Sequence, residues 1–200
     1  MKFFGSLFLR LEPHSRRERL VLVAAVVFSL LLLLLDQGSK LWVEHAFDHH
    51  ESCTVIEGWL DIFSVRNTGA AWSILRNQIW LLLLIALIAF SAILYFFHHL
   101  TERYPERYFA VFMVLSGIVG NSIDRLWRGA VVDFIHVHYY DKWDYPVFNV
   151  ADIAICVGVG IFVLSSFVRP EKKPDAEKTK RGFFRRLFGL GGKSDARSEK

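Results

Sequence analysis

Long apolar runs constrain this chain more than any other feature of its sequence. Four segments approach or reach the roughly 20 residues that an α-helix needs to cross a bilayer. They are Leu20 to Leu35 with its flanks, Ile79 to Phe97, Tyr108 to Leu126, and Phe148 to Val168. Hydrophobic residues make up 53% of the chain, and most charged residues lie outside these runs. We therefore expect an all-α membrane protein with four transmembrane helices.

The first apolar run follows a basic segment, as the apolar part of a secretory signal does. No small-x-small cleavage site follows the run, which ends at Asp36. We therefore expect a retained first membrane helix.

Basic residues indicate the orientation of these helices. Five Lys and Arg residues precede the first run, two separate the second from the third, and eleven follow the fourth. The other two loops hold few: Arg66 and Arg76 between 41 and 78, and Lys142 between 129 and 147. The positive-inside rule predicts that both termini are cytoplasmic and that both of those loops are outside. The net charge of +4 thus reflects membrane topology, and we expect no nucleic acid partner.

The first outer loop and the C-terminal tail differ in composition from the predicted spans. The first outer loop is long, and Thr54 to Arg66 is rich in Val, Ile, Phe and Trp with partial alternation, which predicts a small extracytoplasmic β-sheet. We divide the chain into a membrane domain over 1–168 and a basic cytoplasmic tail over 169–200, mostly disordered because it is charged and contains proline. An apolar face in the tail, Phe183 to Phe188, either contacts an anionic inner leaflet or is simply solvated.

The two cysteines are not expected to pair, because Cys53 lies in a polar loop and Cys156 lies within an apolar run.

Ionisable residues collect near the predicted outer ends of the helices. Each costs about 2.5 to 3.5 kcal/mol to insert in a membrane helix, so each needs a reason. The charged members are Asp36, Lys40, Asp124, Arg125, Asp133 and Asp152, and the amides Asn67, Asn121 and Asn149 lie at the same depth. The pattern predicts one shallow polar site at the outer face.

Simpler explanations exist for some of these residues. Asp36 and Lys40 are spaced i, i+4 and could form a helix-end ion pair. Asn149 could cap the fourth span, with Asp152 three residues on at the positive end of that helix. We expect Arg125 to hold its neighbour Asp124 ionised as a structural acceptor.

Two carboxylates at one site also suit acid and base catalysis on a shared water molecule. Such a pair requires no nucleophilic side chain, no cofactor and no metal. Metal ligands could instead be sought at His136 and His138 with Asp133 or Asp141, or at Asp48, His49 and His50, but His-x-His in a solvated loop is a weak signal. A dyad of Ser39 and Lys40 is disfavoured because adjacent helical residues point in different directions.

Five short motifs resemble, in order and spacing, those of bacterial lipoprotein signal peptidases. They are Asp36-Gln37-Gly38-Ser39-Lys40, Asn67-Thr68-Gly69-Ala70-Ala71-Trp72, Gly120-Asn121-Ser122-Ile123-Asp124-Arg125, Val132-Asp133-Phe134 and Phe148-Asn149-Val150-Ala151-Asp152. The similarity covers roughly Leu20 to Phe167. Trp72 departs from the family, which more often has Phe there.

The resemblance implies an aspartic endopeptidase of the bacterial cytoplasmic (inner) membrane. It implies cleavage of prolipoproteins before a diacylglyceryl-modified cysteine, with membrane lipids as surroundings and the active site near the outer face. Asp133 and Asp152 match the catalytic pair of the family. The supporting polar residues of the family match Asn67, Asn121, Asp124, Arg125 and Asn149, beside Asp36 and Lys40. The alternatives are an ion-coupled transporter, in which the carboxylates relay cations, and a scaffold subunit that does not need them.

Overall fold

The computed structural model describes residues 15–70, 74–140 and 142–169. Its helices are α1 (Arg16–Ala46), α2 (Ile79–Tyr95), α3 (Phe97–Thr101), α4 (Pro105–Trp127) and α5 (Val150–Val168). Its strands are β1 (Ser52–Ile56), β2 (Leu60–Asn67), β3 (Val131–Tyr139) and β4 (Trp143–Asp144). Trp72 and the tail from residue 170 onward lie outside the described residues.

Within the described residues, three helices have the length and composition of membrane spans. They are α1 with 31 residues, α4 with 23 and α5 with 19. Helix α2 is also apolar but has 17 residues, which at 1.5 Å per residue is about 26 Å. The protein is therefore a multi-pass membrane protein. A fourth span at α2 stays a prediction.

Helix α1 is longer than the apolar run that predicts it. The run ends at Leu35, whereas the helix continues to Ala46. The charged residues that end the run do not end the helix, because Asp36 and Lys40 are only 2% and 0% exposed and find partners inside the protein. At the other end Ser15 caps α1, since its hydroxyl accepts a hydrogen bond from Glu18 N at 3.1 Å.

Helix α4 lies at the centre of the bundle and packs against both α1 and α5. A glycine makes the contact with α5 possible, because a Cβ at Gly117 would lie 2.4 Å from the carbonyl oxygen of Ala151. Small residues are the usual means by which membrane helices approach closely. Farther along the bundle, Tyr108 and Val111 of α4 join Ala25 and Phe97 in a buried apolar cluster.

The four strands form one antiparallel sheet in the order β1, β2, β3, β4. The loop after α1, where a sheet was expected, supplies β1 and β2, but the sheet also includes β3 and β4 from the loop before α5. The loop before α5, expected to be solvated around His136 and His138, instead forms β3. Its Ile-His-Val-His sequence alternates apolar and polar residues as a strand does, and β3 pairs with the edge of β2 that β1 leaves free.

Candidate active site

Asp133 lies in β3 and is only 3% exposed. Both of its carboxylate oxygens accept hydrogen bonds from asparagine amides. Asn149 Nδ2 donates to Oδ1 at 2.7 Å, and Asn67 Nδ2, at the end of β2, donates to Oδ2 at 3.0 Å. The sheet register brings Asn67 to this position, because β2 and β3 are paired next to Asp133. The carboxylate is thus held in one orientation by two separate elements.

Asp152 lies in the first turn of α5, where Asn149 precedes the helix. Asn149 N donates to Asp152 Oδ2 at 3.2 Å, and Asp152 N donates to Asn149 Oδ1 at 3.0 Å, which is a reciprocal capping arrangement. From α4, Asn121 Nδ2 donates to Asp152 Oδ1 at 2.8 Å. The expected cap is therefore present. It also joins the two aspartates, because the same Asn149 contacts Asp133.

The environment of Asp133 changes its acidity. Burial and the nearby charge of Asp152 raise the pKa of Asp133 to about 7, although the hydrogen bonds from Asn67 and Asn149 act in the opposite direction. A carboxyl group with this pKa still holds its proton between about pH 4 and pH 7, where ordinary aspartates are ionised. Because the two groups interact, the proton belongs to the pair.

A buried lysine lies next to the pair. Lys40 Nζ is 2.9 Å from Asp36 Oδ2, 2.8 Å from Asp124 Oδ2 and 3.1 Å from Asn121 Oδ1. The ion pair expected within α1 is thus present, and it also connects α1 to α4. Asp36 Oδ1 in turn accepts from Ala151 N at 2.9 Å, one residue before Asp152. The cluster therefore links three helices behind the aspartates.

Close approach of α1 to α4 depends on a second glycine. A Cβ at Gly120 would lie 2.5 Å from Asp36 Oδ2, a distance that real Cβ atoms do not show. The glycine before Asn121 in the third motif therefore makes room for the buried carboxylate of Asp36.

The predicted role of Arg125 at Asp124 is wrong. Asp124 Oδ1 pairs with Arg128 at 2.7 Å, while Lys40 and the backbone N–H of Val132 contact its other oxygen. Arg125 donates instead to the carbonyl oxygens of Gly69 at 2.8 Å and Asn121 at 3.2 Å. The reason is helical periodicity, because residues i and i+4 share a face and adjacent residues do not. The carboxylate of Asp124 is thus paired with Arg128 and Lys40, and its structural role stays a prediction.

Three residues that contribute to the site were not predicted from the sequence. Gln37 Nε2 donates to Asp36 at 3.0 Å and to Asp124 at 3.1 Å. Arg128 continues the ion-pair chain to Glu44 at 2.7 Å, and Glu44 then pairs with Arg66 of β2 at 2.6 Å. The i, i+4 spacing of Asp124 and Arg128 was visible in the sequence. The contacts of Glu44 were not, because they join residues distant along the chain.

A family model described as signal peptidase (SPase) II matches residues 28–168, a range that contains the whole polar cluster. The chain belongs to the signal peptidase II family. This family consists of proteases, so the family assignment and the membrane helices together identify a membrane-embedded hydrolase, as the motif resemblance implied.

Curated relatives agree with the signal peptidase II assignment. The lipoprotein signal peptidase of Halalkalibacterium halodurans is 40% identical over 154 residues, which are 76% of this chain and 96% of that protein. The lipoprotein signal peptidase of Cellvibrio japonicus is 38% identical over 162 residues, covering 79% and 91% of the two chains.

Solved structures support the fold. Two chains, each described as a bacterial membrane enzyme, match with TM-scores of 0.68 and 0.63 at 29% and 30% identity. Each match covers 76% of this chain, with 92% and 94% of the solved chains.

Proposed function

We propose that this protein removes signal peptides from bacterial prolipoproteins by aspartic catalysis, cleaving before the diacylglyceryl-modified cysteine. One observation carries the mechanism. Asn149 donates its side-chain amide to Asp133 and its backbone N–H to Asp152, so the two carboxyl groups are held at one place by one residue. The names of the curated relatives support the substrate class.

The pair acts on a water molecule placed between its carboxyl groups. The ionised aspartate removes a proton from the water as its oxygen attacks the scissile carbonyl carbon. The protonated aspartate donates a hydrogen bond to the carbonyl oxygen, and a proton passes to the departing amine nitrogen as the C–N bond breaks. The pKa of about 7 at Asp133 supports this division, because one proton stays on the pair near neutral pH.

The remaining polar residues act as positioning groups. Asn67, Asn121 and Asn149 orient the two carboxyl groups through the hydrogen bonds described above. Lys40 and its partners hold together the helices that carry Asn121 and Asp152. Arg125 fixes the backbone at Gly69, close to Asn67 along the chain. No step requires a metal or a cofactor.

Cleavage of a lipidated precursor by the purified full chain tests this function. The substrates are a synthetic precursor peptide with a diacylglyceryl cysteine and the same peptide with a free thiol. We expect cleavage of the lipidated peptide alone, with mass spectrometry finding a product that begins at the modified cysteine. A transporter or a scaffold subunit would leave both peptides intact, and cleavage elsewhere in the peptide would contradict the proposed specificity.

We also propose that the protein lies in the bacterial cytoplasmic membrane with both termini inside and the aspartates near the outer face. This orientation would place the sheet, including exposed Cys53, on the outer side of the cytoplasmic membrane. A Cys156→Ser variant retains Cys53 as its one cysteine. We expect a membrane-impermeant maleimide to label this variant in intact cells.

The control for this labelling is the Cys53→Ser variant, whose remaining thiol lies within α5. Labelling of Cys53 only after the cells are opened would overturn the orientation. The proposed outer location of the aspartates would then fail with it.

A further inference from the structure

Three side chains of types that can bind metals lie together on the sheet, apart from the aspartate pair. Asp61 of β2 lies directly opposite His136 of β3, and His138 follows two residues later on the same face. One ligand atom from each lies within 4.8 Å of the others. The sequence marks the two histidines as candidate ligands but not Asp61, which is 75 residues before His136 and reaches it only through strand pairing.

The distances suit a small transition-metal ion. His138 Nε2 is 3.1 Å from Asp61 Oδ2, and His136 Nδ1 is 3.9 Å from the same oxygen. Any two ligand atoms of a tetrahedral zinc site are about 3.3 Å apart, given metal–ligand bonds of about 2.0 to 2.1 Å. Small side-chain rotations would therefore bring all three ligands onto one ion.

The second nitrogen of His136 already has the partner that a metal ligand needs. Its Nε2 lies 2.5 Å from Asp144 Oδ1 on β4. Histidines that bind metals commonly donate this other ring N–H to a carboxylate, which orients the ring and makes the coordinating nitrogen more basic. When Nε2 of His136 donates its proton to Asp144, the other ring nitrogen, Nδ1, is left with a free lone pair. This nitrogen is the one on the side of Asp61.

Two buried atoms of the cluster are without hydrogen bonds. Among the described residues, Asp61 Oδ1 and His138 Nε2 have no hydrogen-bond partner, although Nε2 is close to the other oxygen of Asp61. Buried polar atoms are normally satisfied. A cation coordinated by both side chains would satisfy them together. The three side chains are only 17% to 20% exposed, so an ion held there would be largely shielded from water.

We propose that Asp61, His136 and His138 form a binding site for one divalent transition-metal ion of the zinc type, with Asp144 as the supporting carboxylate. Two imidazoles and one carboxylate are a common ligand set for zinc, and a water molecule would complete the tetrahedron. The ion would join β2 to β3, the strands that carry Asn67 and Asp133. It takes no part in cleavage, because side chains three residues apart on a strand face opposite sides, which separates His136 from Asp133.

Zinc binding by the full chain in detergent tests this site. The protein carries a purification tag without histidine and is stripped with a chelator before titration with Zn²⁺. We expect one Zn²⁺ per chain and a higher thermal transition temperature in its presence, because a ligand that binds only the folded state stabilises it. Asp61→Asn, His136→Gln and His138→Gln should each weaken binding at least about tenfold, and Asp144→Asn about tenfold.

The matched control is a variant with both His49→Gln and His50→Gln, an exposed histidine pair in the same outer region. It should bind Zn²⁺ with unchanged affinity. Loss of binding in this control, or no binding by the unsubstituted protein, would overturn the proposal. If a ligand variant fails to fold, X-ray absorption at the zinc edge of the unsubstituted protein decides. Two imidazole ligands per zinc support the site, and any other number refutes it.

Discussion

We expect Asp133→Asn and Asp152→Asn each to lower the rate of precursor cleavage by at least about 10² to 10⁴, the contribution of general acid and base catalysis. Asparagine keeps the shape of aspartate but cannot exchange the proton, so the substitution separates chemistry from packing. Rates should be measured with the lipidated peptide together with the amount of folded protein in the membrane. The double variant should be hardly slower than either single one, because two groups that act on one water fail as a unit.

Two further substitutions control this experiment. Asp48→Asn removes an exposed carboxylate two residues after the end of α1 and should leave the rate unchanged. Asp124→Asn removes a buried carboxylate that pairs with Lys40 and Arg128, and it should reduce the amount of folded protein more than the turnover of what remains. Near-normal turnover by a well-expressed Asp133→Asn or Asp152→Asn protein would refute the aspartic mechanism.

Lys40→Met should produce the largest loss of stability. Lys40 is fully buried, and among the described residues it is the one cation paired with Asp36, whereas Asp124 keeps Arg128. Removing one partner from a buried ion pair typically costs about 3 to 5 kcal/mol, because the other charge stays buried without compensation. We expect a large fall in thermal stability and in membrane abundance.

A matched control and a second-site change make this result specific. Lys142→Met alters an exposed lysine and should leave the thermal transition unchanged. Adding Asp36→Asn to Lys40→Met removes the uncompensated carboxylate, so the double variant should be more stable than Lys40→Met alone. Equal stability of the Lys40→Met and unsubstituted proteins would show that the cluster does not hold the helices together.

Local patterns in the sequence determined the membrane character and part of the site. An apolar run depends only on consecutive residues, so the positions of α1, α4 and α5 were predictable from the sequence. The end of α1 was not, because Asp36 and Lys40 interrupt the apolar run before the helix ends. The cap at α5 was equally local, since Asn149 and Asp152 are three residues apart. The order and spacing of the motifs identified the family.

Only the tertiary structure decided how these parts meet. Strand pairing brought β3 onto β2, which placed Asn67 beside Asp133 and Asp61 beside His136. Helix geometry placed Arg128, one turn after Asp124, as its ion-pair partner, and the packing of α1 against α4 brought Lys40 to the same carboxylate. Such contacts depend on register and on which faces pack together, and these are properties of pairs of elements. No single stretch of this sequence contains them. Asp133, Asp152 and Asn149 could therefore be named in advance as candidate site residues, but the contact of Asn149 with both aspartates and the meeting of Asp61 with the two histidines could not.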